Sequence, residues 1–236
     1  MSNQTKRVAS IRRLVIIALF TAIAYIAMLM TNLIKVQFLT LDIKDAVITL
    51  SGLFFGPLAA LFASVVVPLL ELITVSSTGW YGLVMNFLGT ASFSITVSLV
   101  YRVKKDLFGA ILALVSGVFA MTVVMMFANL IITPIYTHMP TSAIRDMIPT
   151  LFLPFNLIKA VVNAAVVMMF YKPVSSMLQR TGFLPKSEHA FKLDKRTVII
   201  MAVSLVLVVS SIAVIFNFLE GAAFEWGLLS KFQSKK

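Results

Sequence analysis

Long apolar runs separated by short polar stretches dominate the sequence. An α-helix of about 20 apolar residues crosses the roughly 30 Å hydrocarbon core of a bilayer. Runs that approach or exceed this length cover residues 11–34, 57–75, 82–102, 108–133, 149–171 and 197–219. The pattern therefore predicts a series of membrane-spanning helices with little chain between them.

One apolar run, residues 46–56, is too short to cross a bilayer alone. Gly56 and Pro57 separate it from the following run, and a Gly-Pro pair inside an apolar stretch marks a tight turn or a kink. We therefore expect residues 43–75 to form two helices packed as a hairpin. This arrangement gives seven helices and places the C-terminus on the outer side.

Three polar segments are predicted on the outer face. Residues 35–45 (KVQFLTLDIKD) alternate apolar and polar side chains, which indicates an irregular or extended lid. Residues 75–82 (VSSTGWYG) are typical of a turn and carry a tryptophan suited to the membrane interface. Residues 134–148 form the third outer loop, so this face offers several segments that could contact a ligand.

The bulk composition agrees with a membrane protein. The 236 residues are 60% hydrophobic and 12% charged, and the mean hydropathy is +1.00. The predicted fold is an all-α polytopic transmembrane bundle, and we divide the chain into three parts. These are a six-helix membrane-embedded core at 1–172, a basic cytoplasmic linker at 173–196, and an additional transmembrane helix and tail at 197–236.

The net charge of +11 does not indicate a nucleic-acid partner, because the basic residues are clustered between apolar runs. Four lie in the N-terminal tail, three follow the run that ends at residue 102, and six lie between residues 172 and 196. These clusters fall on one side of the predicted bundle, as expected where cytoplasmic loops are enriched in lysine and arginine. The N-terminus is therefore predicted to be cytoplasmic.

Lys159 is the most informative single residue, because it lies inside the apolar run FNLIKAVVN. An ionisable side chain within a membrane helix is costly, and it usually faces the bundle interior or a wet cavity. Asn156, Lys159 and Asn163 have helical spacing and should share one face. They could bind one polar ligand together, or Lys159 could form a structural ion pair with Glu71.

Two further asparagines, Asn86 and Asn129, also lie within apolar runs. Each alone is more typical of a hydrogen bond between membrane helices. Together with the residues around Lys159, they suit a neutral or weakly acidic heterocycle that displays carbonyls and ring nitrogens, because amides both donate and accept hydrogen bonds.

Other candidate chemistry is weaker. Ala18 and Ala22 form a small-xxx-small pair, which permits either internal helix packing or docking of another membrane subunit. Asp42 and Asp45 are expected to be solvated in a loop. The sequence has no cysteine, no nucleotide-binding G-x-x-x-x-G-K-[ST] motif and no hydrolase or metal-ligand motif. Energy for uphill transport would therefore come from another protein.

Several motifs together resemble the S components of energy-coupling factor (ECF) transporters, and among them the riboflavin-binding type. The resemblance covers about residues 8–172. It is carried by the alanine pair in the first span and by LTLDIKD, SGLFFGPLAAL, STGWYG and FNLIK, in this order. FNLIK is the most specific of these motifs.

The resemblance implies a set of substrate-binding residues. In the riboflavin-binding family, the residues that match Asn156, Lys159 and Asn129 face the isoalloxazine ring. The first outer loop closes over the ligand, which implies that Leu39, Thr40 and Leu41 lie near it. The remaining residues of the predicted binding set are Glu71, Gly79, Asn86 and Asn163. The resemblance implies no catalytic residue, metal or cofactor, with riboflavin as the transported ligand.

The same resemblance implies the partners and the location. Such S components lie in the bacterial cell membrane and dock through the first helix, which would involve Ala18 and Ala22, on a transmembrane coupling subunit. Two cytoplasmic ATPases complete the transporter. The chain would then be a non-enzymatic, substrate-binding subunit for vitamin uptake.

One feature departs from the family. The core normally ends soon after its sixth helix, whereas this chain continues with a predicted seventh span and a tail. Three alternatives remain at this stage: an S component for another vitamin or heterocycle, a membrane enzyme that uses Lys159 as a base or Schiff-base former, and a structural scaffold.

Overall fold

A computed structural model describes residues 3–31, 34–36, 39–184, 195–218 and 224–226. Eight α-helices, one π-helical turn and three short strands are found in these ranges. The helices are α1 (Asn3–Thr31), α2 (Lys44–Phe55), α3 (Pro57–Thr74), α4 (Gly79–Val103), α5 (Leu107–Thr137), α6 (Thr141–Met147), α7 (Leu153–Arg180) and α8 (Lys195–Phe218). The π-helical turn, Ile148–Phe152, joins α6 to α7.

The predicted all-α membrane bundle is confirmed. Within the described residues, five helical stretches are long and apolar enough to cross a membrane, and Val198–Val214 forms a shorter apolar helix. The five are Ser10–Thr31, Pro57–Thr74, Gly79–Val103, Phe108–Thr137 and Thr141–Arg180. The short helix α2 lies between them and contacts α1, α3, α4 and α7.

Close packing around α2 depends on small residues. A Cβ atom at Gly52 would lie 2.1 Å from Ser98 Oγ and 2.8 Å from Ala60 Cβ, so only glycine fits between α3 and α4. Gly56, with φ of 93°, then forms the turn from α2 to α3. A side chain would be strained at this φ, whereas glycine adopts it readily. The helical hairpin expected over residues 43–75 therefore exists, as α2 and α3.

The lid segment contains an antiparallel hairpin of β1 (Ile34–Val36) and β2 (Leu39–Leu41). A third strand, β3 (Phe224–Trp226), pairs with the free edge of β1. An extended lid was predicted, but pairing of the C-terminal region with it was not. Alternation of side chains within 35–45 shows a strand but cannot show which distant segment completes the sheet.

At the opposite end of the bundle, aromatic rings close the core. Phe20 packs edge-on against Phe55, with ring centroids 6.0 Å apart, and Tyr171 stacks on Phe54 at 5.7 Å. The hydroxyl groups of Tyr101 and Tyr171 are hydrogen-bonded. This end of the bundle is a packed apolar and aromatic layer.

The short connection from α4 to α5 lies at this same end. Asp106 precedes α5, and its Oδ1 accepts a hydrogen bond of 2.7 Å from the Gly109 amide. That hydrogen bond lowers the pKa of the exposed Asp106 carboxyl. The carboxylate therefore stabilises the start of α5 in its ionised form.

Two predicted helix ends were wrong. The run at 108–133 was ended before Pro134, and the sixth span was ended at residue 171, yet α5 continues to Thr137 and α7 to Arg180 through Pro173. Proline removes one backbone hydrogen bond but does not end a membrane helix whose neighbours support it. Part of the predicted outer loop 134–148 is also helical, because α6 lies within it.

The predicted additional C-terminal helix exists as α8, which packs against α7. Residues 185–194 of the predicted linker lie outside the described residues, as do residues 219–223 and 227–236 of the predicted tail. The division into core, linker and C-terminal part stays a prediction.

Candidate functional site

A cavity opens near β2, among α3, α4, α5 and α7. The space between its walls, including the open solvent at its mouth, is about 880 Å³. Its lining residues are Leu39, Thr40, Glu71, Val75, Ser76, Ser77, Thr78, Tyr81, Gly82, Met85, Asn86, Gly89, Thr90, Met121, Met125, Ile132, Thr133, Tyr136, Phe155, Asn156 and Lys159.

Helix α7 supplies the polar wall of this cavity. Asn156 and Lys159 are one turn apart on α7, and both line the cavity although little of either side chain is exposed. Asn156 Nδ2 donates to the backbone oxygen of Phe152 at 2.8 Å, which fixes the orientation of the amide. The carbonyl oxygen of Asn156 then remains as the acceptor for a ligand.

Lys159 is held by the chain at the end of β2. Its Nζ lies 2.9 Å from Asp42 Oδ2 and 3.3 Å from the backbone oxygen of Thr40. The ion-pair alternative from the sequence named Glu71 as the partner, and the structure shows Asp42 instead. The sequence order of the helices could not distinguish these carboxylates, because both were expected at the outer side.

Glu71 has a different cation. Its Oε2 lies 2.8 Å from Lys44 Nζ, and its Oε1 accepts a hydrogen bond of 2.9 Å from Asn86 Nδ2. Lys44 is fully buried and also lies 3.2 Å from Asp42 Oδ2. Polar contacts therefore connect Lys159 to Asn86 through Asp42, Lys44 and Glu71. Asp42 and Lys44 are not among the residues that line the cavity.

The expectation that Asp42 and Asp45 are solvated was wrong. Their residue exposures are 1% and 0%, and Asp45 Oδ1 accepts a hydrogen bond of 2.5 Å from Thr90 Oγ1. The reason is that α2 starts inside the bundle, so the polar residues before it are buried with it. The signal in the sequence that could have indicated this burial was the density of charge in DIKD, where two aspartates flank Lys44.

Two of the predicted site asparagines do not line the cavity. Asn163 is fully buried, where its Oδ1 accepts from the Ala46 amide at 2.8 Å and its Nδ2 donates to Asp42 O at 2.9 Å. Asn129 Nδ2 donates to Met125 O at 2.7 Å, and its Oδ1 accepts from Thr133 Oγ1 at 3.0 Å. Asn163 joins α7 to the start of α2, and Asn129 orients a threonine of the lining.

Of the predicted site residues in the outer segments, some line the cavity and others do not. Leu39 and Thr40 line the cavity, whereas Leu41 does not and is buried in an apolar cluster with Leu39 and Ile144. Gly79 begins α4 with φ of 57° and is not among the lining residues. A role in substrate binding stays a prediction for every member of the set.

Most of the other residues that line the cavity were not predicted from the sequence. Met121 and Met125 of α5 supply an adaptable apolar surface, and Phe155 and Tyr136 supply aromatic ones. They were missed because a methionine or an aromatic residue in an apolar run has no polar neighbour that distinguishes it from the core.

The alanine pair of α1 faces away from the bundle. Ala18 and Ala22 are both exposed, on the same face as Leu19 and Val15 in the adjoining turns. Their exposure argues against the alternative in which the pair packs internally.

The cavity offers binding chemistry. Among the described residues, no group of three or more histidine, aspartate or glutamate side chains could hold a metal ion. The site has hydrogen-bond donors and acceptors on two sides and apolar side chains between them, which suits a flat, partly polar organic molecule.

A family model described as "ECF transporter, substrate-specific component" matches residues 12–171. The match includes α1 to α6 and most of α7, and thus every lining residue of the cavity. It ends before α8 and β3.

The chain is also similar to two curated proteins. It is 27% identical to the riboflavin transporter FmnP of Bacillus subtilis (strain 168) over 172 residues, which are 68% of this chain and 90% of that protein. It is 29% identical to the riboflavin transporter RibU of Staphylococcus aureus (strain TCH60) over 177 residues, 72% of this chain and 93% of that protein.

The fold agrees with a solved structure as well. The S component of a bacterial ECF transporter superimposes with a TM-score of 0.63 at 28% identity, covering 72% of this chain and 99% of the solved chain.

Proposed function

The chain belongs to the family of substrate-specific components of ECF transporters, and from this premise we propose that it captures riboflavin in the cavity beside β2. The observation that carries the proposal is the pair Asn156 and Lys159, one turn apart on α7 and both facing the cavity. At this spacing the ammonium can donate to a carbonyl or ring-nitrogen acceptor of a flavin, and the amide oxygen can accept from the adjacent ring N–H.

The rest of the lining supports the same ligand. A flavin ring is flat and has an apolar edge, for which Met121, Met125 and Phe155 offer soft and aromatic contacts. The ribityl chain carries hydroxyl groups, and Glu71 and Asn86 offer polar partners for them. The two curated relatives are named as riboflavin transporters, which is consistent with this assignment.

Buried charge supports a neutral ligand. Around the cavity the described residues bury three carboxylates and two ammonium groups, and both ammonium groups already have carboxylate partners. No cation in this cluster is left without an anion, so a phosphate group would enter without compensation. Riboflavin has no ionised group at neutral pH, whereas its phosphate ester does.

Other proteins would supply the energy. We assign a transmembrane coupling subunit and two cytoplasmic ATPases as partners, because the sequence has no nucleotide-binding motif of its own. The exposed alanine pair of α1 is the proposed docking surface, since small side chains allow another helix to approach closely.

The proposed location is the cell membrane of a bacterium, with the N-terminus cytoplasmic and the C-terminus outside. Two observations support this orientation. The basic residues Arg13 and Arg102 lie near the turn at Gly56, at the end of the bundle opposite the cavity. At the cavity end, β3, which follows α8 in the chain, pairs with β1.

A membrane enzyme based on Lys159 is the alternative from another class. A catalytic lysine has to lose its proton to act as a base or nucleophile. Lys159 is instead held in an ion pair with a buried carboxylate, 2.9 Å from Asp42 Oδ2. We therefore propose a binding protein that is not an enzyme and has no cofactor.

The test is a titration of ligand-free, full-length protein in mild detergent with riboflavin, followed by quenching of the flavin fluorescence. We expect saturable one-to-one binding that unlabelled thiamine and biotin do not displace. We also expect flavin mononucleotide to bind more weakly than riboflavin. Unquenched fluorescence throughout the titration would refute riboflavin as the ligand, and displacement by another vitamin would assign the site to that molecule.

A further inference from the structure

The position of Lys159 depends on a residue outside its own helix. The ammonium group makes two contacts with β2 and the residue that follows it, at Thr40 O and Asp42 Oδ2. A lysine ammonium has three N–H donors. Two are therefore directed at the lid segment, and the third is available to a ligand in the cavity.

Both the side chain and the backbone of Asp42 are held by contacts with other residues. Its carboxylate is fully buried and contacts Lys44 at 3.2 Å as well as Lys159 at 2.9 Å. Its backbone oxygen accepts a hydrogen bond of 2.9 Å from Asn163 Nδ2, one turn beyond Lys159 on α7. The end of β2 and this part of α7 are thus joined by both the main chain and the side chain of one aspartate.

We propose that Asp42 is a positioning residue for substrate binding: it holds the Lys159 ammonium against the lid strand and directs its remaining donor into the cavity. The inference rests on the proposed function, because it states how the lysine is prepared for the ligand. Asp42 also links β2 to Lys159. The strand that lines the cavity and the ammonium that donates to the ligand therefore keep a fixed relative position.

The physical advantage is preorganisation. A lysine side chain has many rotamers, and fixing them on binding would reduce affinity. The aspartate fixes them before the ligand arrives. Lys44 cannot take this role, because it is fully buried behind the wall, is not among the lining residues, and is held by Glu71.

A double-mutant cycle tests whether Asp42 acts through Lys159. Riboflavin dissociation constants are measured for the full-length protein, Asp42→Asn, Lys159→Met and the double variant. We expect Asp42→Asn to weaken binding about tenfold, from partial loss of the oriented donor, and to have no further effect in the Lys159→Met background. Asp106→Asn, an exposed aspartate far from the cavity, is the matched control and should bind as the wild type.

A merely structural role gives a different result. It would make Asp42→Asn weaken binding by the same factor in both backgrounds, and that result, or an unchanged dissociation constant for Asp42→Asn, would overturn the proposal. Wild-type protein that fails to bind riboflavin would refute the proposed function instead.

A second variant keeps the test decisive if Asp42→Asn does not fold. Asp42→Glu keeps the negative charge but moves the carboxylate by about one methylene length. We expect a melting temperature close to that of the wild type and a dissociation constant raised several-fold. Wild-type affinity in Asp42→Glu would show that the position of this carboxylate is unimportant and would overturn the proposal.

Discussion

The two ends of the same helical bundle are built differently. At the cavity end, α2, α3 and α7 bury Asp42, Lys44, Asp45, Glu71 and Lys159. At the opposite end, α1, α2, α4 and α7 bury a layer that includes Phe20, Phe55, Tyr101 and Val97. One end has open space and charge, and the other has neither within the described core.

This difference implies that ligand binding and the stability of the fold depend on opposite ends of the bundle. Buried ion pairs contribute little net stability, because desolvation of the charges offsets their attraction. They do fix side chains in defined positions when every charge has a partner. Close packing of large side chains, by contrast, is what holds helices together in a membrane. We therefore expect changes at the two ends to alter different properties.

The largest effect on stability is expected at the aromatic end. Phe55→Ala removes a ring that contacts Phe20 and leaves a cavity in the packed layer. Truncation of a buried phenylalanine costs about 3–5 kcal/mol. The melting temperature in detergent should fall markedly, while the riboflavin dissociation constant, measured well below it, should change less than twofold.

The matched control for this variant is Phe119→Ala. Phe119 is 71% exposed on α5, so its ring can be removed without opening the core. We expect an unchanged melting temperature. Equal destabilisation by the two alanine variants would show that the aromatic layer is not the packed core described above.

The largest effect on binding is expected at Lys159. Lys159→Met keeps the length of the side chain but removes the charged donor, and we expect riboflavin affinity to fall about 100-fold, equivalent to ~2.7 kcal/mol. The melting temperature should fall less than for Phe55→Ala, because Asp42 keeps Lys44 as a partner. Fluorescence titration and a thermal melt of the same sample measure both properties.

Lys104→Met controls for loss of a lysine as such. Lys104 forms an exposed ion pair with Asp106, and such pairs are worth about 0–1 kcal/mol. Its affinity and melting temperature should match those of the wild type. If Lys159→Met bound riboflavin as tightly as Lys104→Met, the polar wall of α7 would have no role in binding.

Two asparagines on α7 allow a comparison in which the expected effects are smaller. Asn156 faces the cavity, whereas Asn163, two turns further along, joins α7 to Ala46 and Asp42. Asn156→Ala should weaken riboflavin binding about tenfold with a nearly native melting temperature. Asn163→Ala should lower stability by about 1–3 kcal/mol, because the Ala46 amide and the Asp42 backbone oxygen each lose a buried hydrogen bond. It should weaken binding less than Asn156→Ala.

The two asparagine variants are measured by the same titration and thermal melt. A shared pattern, in which both variants change only affinity or only stability, would contradict the separation of roles along this helix.

Much of this arrangement could be predicted from the sequence. Helical spacing placed Asn156, Lys159 and Asn163 on one face, because helix geometry is local. Hydropathy predicted the membrane helices, since a bilayer requires apolar spans of known length. The motif FNLIK also indicated the family that the family model later matched.

Long-range pairings could not be predicted in the same way. Lys159 lies 117 residues from Asp42 in the sequence, and no local pattern distinguishes Asp42 from Glu71 as its partner. Burial of Asp42, Lys44 and Asp45 depends on where α2 enters the bundle, which is decided by packing at Gly52 rather than by the polar residues themselves.

The most direct test of the central claim is an experimental structure of the full-length protein with riboflavin bound. We predict that the flavin ring occupies the cavity between β2 and α7, with Lys159 Nζ within hydrogen-bond distance of a ring acceptor and still in contact with Asp42. A flavin bound elsewhere in the bundle, with this cavity empty, would contradict the account.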